Sequence, residues 1–109
     1  MTTTTIAAAA LALAFAALPA AAADLAAGAA KAKEVCAACH GMDGNAAQPD
    51  YPKLGGQHED YLAKALRDYK SGARRNPIMA GFAKPLTKQD IENLAAHYAR
   101  QARVVTAKY

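Results

Sequence analysis

Two cysteines and one histidine constrain this chain more than any other feature. Cys36-Ala37-Ala38-Cys39-His40 sets both cysteines of the sequence three residues apart, with an imidazole directly behind them. On a helical turn, positions i, i+3 and i+4 share a face, so the two thiols and the imidazole project together. Thiols so placed can bond two vinyl groups along one edge of a porphyrin while the imidazole reaches its iron. The C-x-x-C-H string therefore reads as the attachment site of one covalently bound haem c. Ala37 and Ala38 are small enough for a flat ring to lie close. No cysteine remains for a structural disulfide.

Two other chemistries use a C-x-x-C pair. A thioredoxin-like redox centre needs a βαβ setting, and no stretch of this sequence alternates apolar and polar residues as a strand would. A structural zinc site needs two further ligands at recognisable spacing. Only His40, His58 and His97 are on offer, with no second C-x-x-C.

The N-terminus stands apart in composition. Ile6 to Leu18 is an unbroken run of Ala, Leu, Ile and Phe, interrupted by Pro19 and followed by Ala21-Ala22-Ala23. Such a run is shorter than the roughly 20 residues of a membrane span and ends in the small residues a signal peptidase requires. Met1 to Thr5 lacks the Lys or Arg of an ordinary leader. Residues 1–23 are expected to be a cleaved signal peptide, with an uncleaved anchor as the alternative. Export to the periplasm agrees with the motif, because bacterial c-type haem is attached outside the cytoplasm. Residues 24–109 then form one domain and carry every charge in the chain, 13 basic against 9 acidic residues. A domain this small buries little core unaided, and a covalent cofactor would serve as its staple.

Periodicity predicts three main helices in an all-α fold. The first spans Asp24 to Val35, with Asp24 as its cap and Leu25, Gly28, Ala32 and Val35 on one side. Gly28 inside a helix costs about 1 kcal/mol relative to Ala, which close approach of another helix would explain. The second runs from Glu59 to Lys70, with Gly56 or Gln57 at its cap and Gly72 at a left-handed stop. Its stripe of Tyr61, Leu62, Ala65, Leu66 and Tyr69 reads as core packing. The third runs from Thr87 to about Gln101, opened by a Thr87/Asp90 capping box, with Ile91, Leu94, Ala95 and Tyr98 inward. Residues 41–57 and Ala73 to Pro85 read as loops, and Val104 to Tyr109 as a frayed end.

Haem iron bound by His40 has a sixth position. Met42 is too near His40 to cross the ring, Met1 leaves with the leader, and His58 and His97 sit on predicted helices. Met79 lies in a predicted loop after Asn76-Pro77-Ile78, where Pro77 fixes the approach. A thioether is a soft, uncharged ligand that raises the potential and closes the iron to substrate.

At this point the chain resembles the class I (His/Met) c-type cytochromes, in particular the short bacterial type. The resemblance rests on Cys36-Ala-Ala-Cys-His40-Gly41, Tyr51-Pro-Lys-Leu-Gly-Gly-Gln57, Lys70-Ser-Gly-Ala-Arg74, Asn76-Pro-Ile-Met79 and the last helix with Leu94. It implies the class I cytochrome c fold, with loops wrapped around one haem. It also implies that the first and last helices cross at Gly28 and Leu94, and that the Pro52 carbonyl accepts the Nδ1 proton of His40. Leu54 would line the haem pocket and Met79 would be the sixth ligand. His97 departs from the family, whose members often carry an aromatic residue there. Arg74, with Arg75, is placed to meet a haem propionate.

The function expected is that of a periplasmic monohaem electron carrier, not an enzyme, with an electron-accepting subunit of a periplasmic dehydrogenase or oxidase as the alternative. The expected partners are larger redox proteins with acidic docking surfaces, with membrane contact only through those complexes. The modest +4 charge and the haem motif argue against nucleic acid, and two filled axial positions argue against a small-molecule substrate.

Overall fold

Asp24 starts the folded part of the chain. Its carboxylate accepts the Ala27 amide at 3.0 Å, and helix α1 runs Leu25–Val35 from that cap. The computed structural model describes residues 1–17 and 22–105. Four more helices follow: α2 Ala37–His40, α3 Glu59–Ser71, α4 Pro77–Ala83 and α5 Lys88–Ala99. Among the described residues there is no strand. The expected all-α architecture is the one observed.

The central packing is α1 against α5, with α3 laid on α5 and α4 on α3. Gly28 and Ala32 of α1 are buried, while Leu25, expected inward, is 46% exposed. A Cβ at Gly28 would lie 2.2 Å from the Asn93 carbonyl oxygen and 3.2 Å from His97 Cβ. The helices therefore cross with Gly28 closest to Asn93 and His97, the residues that flank the expected Leu94 along α5. The cause is steric: without a Cβ, α1 can sit directly on the α5 backbone. Asn93 also accepts the Asp24 amide at 2.8 Å, which fixes the start of α1 to α5.

Capping explains most boundaries. Thr87 and Asp90 form the expected box, with Asp90 N to Thr87 Oγ1 at 3.0 Å and Thr87 N to Asp90 Oδ2 at 2.9 Å. The predicted inward residues Ile91, Leu94, Ala95 and Tyr98 are all buried, joined by Asn93, Ala96 and His97. Helix α3 starts at Glu59 as expected, but its cap is His58 rather than Gly56 or Gln57, and the His58 amide donates to Gln57 Oε1. Gly72 ends it at φ 86°, the left-handed stop expected of it.

The stretch from Ala73 to Pro85 is not all loop. Asn76 accepts the amides of Ile78 and Met79, each at 3.0 Å, and Pro77 occupies the first position of α4. Asn followed by Pro is a helix start, because the cap supplies an acceptor where Pro lacks a donor. The other end of α4 is held by Lys70, whose Nζ donates to the carbonyls of Lys84 (2.8 Å) and Leu86.

Residues 1–17 carry no helix or strand, and Ile6, Leu11, Leu13 and Phe15 are exposed. No described helix is long and apolar enough to cross a membrane. Pro19 and Ala21 of the expected leader lie outside the described residues, as do positions 106–109 of the expected frayed end. Val104 is not frayed: its amide donates to Asn45 Oδ1 and its carbonyl accepts from Lys53, each at 3.0 Å.

Candidate functional site

The helices and the loop between α2 and α3 enclose a cavity of about 370 Å³, in the range of small-molecule and cofactor sites. Its wall is largely aliphatic and aromatic, including Val35, Leu54, Leu66, Phe82, Leu86 and Leu94. Cys36, Cys39, His40 and Met79 all line this one cavity.

The attachment turn forms as the spacing predicts. The amides of Cys39 and His40 both donate to the Cys36 carbonyl, at 3.2 and 3.0 Å, and Gly41 N closes on Ala37. Burial pushes the Cys36 thiol up to about 11, against a smaller opposing effect from its hydrogen bond with Tyr98. His40 is 8% exposed, and its Nδ1 lies 2.9 Å from the Pro52 carbonyl. A carbonyl only accepts, so Nδ1 carries the proton and Nε2 is left for a metal. Tyr51 stands edge-on to the imidazole at 6.4 Å.

Met79 is half-buried on α4, where Asn76 holds its amide. The competing ligands fall away by position. Met42 is 41% exposed and outside the cavity, and His58 is exposed at the cap of α3. His97 is buried, but its Nε2 donates to the Met42 carbonyl at 2.7 Å and its ring does not reach the cavity wall. Among the described residues, His40 and Met79 are the only imidazole and thioether that line the cavity.

Of the other expected residues, Pro52 and Leu54 both line the cavity. Arg74 stands at its rim, donating to the Tyr61 hydroxyl at 3.2 Å and stacking 4.8 Å above the Tyr69 ring. Arg75 is not part of the wall. Of the α3 stripe expected as core, Leu62 belongs to the core and Leu66 packs against it, and all five of Tyr61, Leu62, Ala65, Leu66 and Tyr69 also line the cavity. A cavity wall and a core seam share the same 3.6-residue period, so periodicity could not separate them. Phe82 and Leu86 were not marked by the sequence, and Tyr51 stood out only as part of a motif stretch. Only their closeness to the motif loops would have suggested them.

The Cytochrome c family model matches residues 25–99. The chain belongs to the cytochrome c family. It is 50% identical over 80 residues to cytochrome c4 of Thiocapsa roseopersicina, which covers 73% of this chain and 41% of that protein. The reduced recombinant cytochrome c4 structure from Pseudomonas stutzeri aligns with a TM-score of 0.69 at 43% identity, over 74% of this chain and 47% of that one. It is also 46% identical over 67 residues to a "Thiosulfate dehydrogenase electron acceptor" of Thiomonas intermedia, covering 60% of this chain and 30% of the relative. This cytochrome c chain thus spans less than half the length of these relatives.

The family's cofactor is haem c, and the residues present fit it. Apolar walls suit the macrocycle, two thiols stand at one edge, and an imidazole with its Nδ1 committed faces the same space as a thioether. When bound, haem c supplies a one-electron ferric/ferrous couple. The chain's own side chains do the rest. Pro52 fixes the His40 tautomer, the aliphatic wall excludes water, and the Asn76 cap with Lys70 holds Met79 in place.

Proposed function

We propose that this cytochrome c is a periplasmic monohaem carrier that passes single electrons between larger redox proteins. Residues 1–23 would direct export and be removed, leaving 24–109 as the working domain. Cys36 and Cys39 would carry the thioether bonds, with His40 and Met79 as axial ligands. Pro52 would orient His40, Leu54 would line the haem, and Arg74 would meet a propionate. The observation that supports this most is that His40 and Met79 alone, among described imidazoles and thioethers, share the cavity with both cysteines. Two filled axial positions leave the iron no site for substrate and favour fast electron exchange with little rearrangement. The thioether stabilises the ferrous state and raises the potential.

Visible spectroscopy with carbon monoxide tests the ligation. The reduced protein should bind the gas slowly, and Met79→Ala should bind it rapidly with a lowered potential. Rapid binding by the unaltered protein would overturn six-coordination.

A second reading keeps the site and makes the chain the electron-accepting subunit of a periplasmic dehydrogenase or oxidase. Relatives named as a thiosulfate dehydrogenase electron acceptor and a cytochrome subunit of sulfide dehydrogenase favour it. Purification from the native host separates the two. A carrier runs alone, whereas a subunit co-purifies with a larger enzyme.

A further inference from the structure

His97 is a buried polar side chain that the proposed iron site leaves unused. It is 8% exposed, beside the crossing of α1 and α5. Its Nε2 donates to the Met42 carbonyl at 2.7 Å, two residues after His40. The next residue, Tyr98, donates its hydroxyl to the Gly41 carbonyl at 3.0 Å. Two consecutive carbonyls leaving the attachment turn are thus held by two consecutive side chains of one helix. The same helix end also holds the far end of the loop that leaves this turn, because Gly56 N donates to the Tyr98 carbonyl at 3.0 Å. That loop carries Pro52, and it is bonded back to the turn through Leu54 N and Gly55 N on the Gly44 carbonyl, at 2.7 and 3.1 Å.

We infer that His97 is a positioning residue for the His40–Pro52 hydrogen bond. His40 ends the one-turn helix α2, and Pro52 sits in the irregular loop that follows it. Both ends of that loop are referenced to the end of α5, His97 and Tyr98 side chains holding its start and the Tyr98 carbonyl its far end. The spacing between His40 Nδ1 and the Pro52 oxygen is therefore set by a rigid helix rather than by loop conformation. That spacing matters chemically, since a hydrogen bond from Nδ1 makes the imidazole more basic and favours the electron-poor ferric state. Loosening it favours the ferrous state. The role rests on His40 being the proximal ligand, as proposed above.

The test uses the haem-loaded protein with His97→Phe, which keeps the ring volume and removes the donor, and His97→Gln, whose terminal N–H can take the place of Nε2. Solvent exchange of the His40 Nδ1 proton is read by NMR, and the reduction potential by voltammetry. His97→Phe should exchange about tenfold faster, the size expected for one lost hydrogen bond, and its potential should rise. His97→Gln should return both towards the original values. If His97→Phe lowers thermal stability but leaves exchange and potential unchanged, His97 only packs, and the inference fails. It fails equally if Gln behaves as Phe does. Should the Phe variant not mature with haem, the pair His97→Leu and His97→Gln offers the same contrast and decides by the same readouts. A failure of the ligation itself would show in the spectrum of the unaltered protein, so the two outcomes are distinguishable.

Discussion

A methyl group added at Gly28 would stand 2.2 Å from the Asn93 carbonyl oxygen, a backbone atom that cannot swing aside. Gly28→Ala should therefore push α1 off α5 and destabilise the haem-loaded protein by about 2 kcal/mol, despite Ala being the better helix former. Urea unfolding measures this, and a gain in stability would refute the crossing. At this scale the sequence was informative wherever chemistry requires a particular side chain. The proposed haem residues Cys36, Cys39 and His40 stand out through spacing, and Met79 through elimination. His97 did not. A buried histidine bonded to a carbonyl far along the chain has no local signature, because Met42 becomes its neighbour only once α5 meets the turn.

Among the elements, α4 carries the largest difference between expectation and structure. Its Asn76-Pro77 start reads equally well as a turn, and seven residues are too few for a visible period. What makes it a helix is anchorage at both ends, by Asn76 at the start and by Lys70 at the close. Lys70→Met should free the C-terminal end of α4, lower stability by about 1–2 kcal/mol, and, with Met79 as the proposed ligand, speed carbon monoxide binding by loosening it. Thermal melts and flash photolysis would measure the two effects. Helix α5 was easier to foresee, since its capping box is a local pattern. Thr87→Ala should cost about 1 kcal/mol, read by denaturant titration. The Thr87 amide, bonded to Asp90, holds that carboxyl below its ordinary value, with Lys31 and Lys70 adding smaller attractions. A carboxyl lowered in the folded state adds stability above its unfolded pKa and loses it as pH falls. Stability should accordingly decline below about pH 4, and Asp90→Asn should flatten that part of an acid-unfolding profile.

For the molecule as a whole, charge and cofactor give the remaining expectations. A net charge of +4 on a small domain should speed encounter with an acidic redox partner. Electron-transfer rates with such a partner should fall as ionic strength rises past about 0.1 M, where the screening length is about 10 Å. Stopped-flow mixing measures this, and a rate insensitive to salt would argue against acidic docking. Mass spectrometry of the protein from its native host should find one haem on a chain beginning at Asp24. A mass that includes residues 1–23 would contradict the leader.

The sequence alone determined the cofactor, its points of attachment and the all-α class. Those depend on residue types at short spacings, and a helical turn converts such spacing directly into shared direction. It also determined the caps of α1 and α5, which are bonds between residues three apart. Only the tertiary structure showed that the apolar stripes of α3 and α5 both serve as cavity wall as well as core, because wall and core share one period. Only it placed Asn93 and His97 against Gly28, and made α4 a helix. Those outcomes depend on contacts between residues far apart in the chain, such as Lys70 with Lys84, or His97 with Met42, that no local pattern encodes.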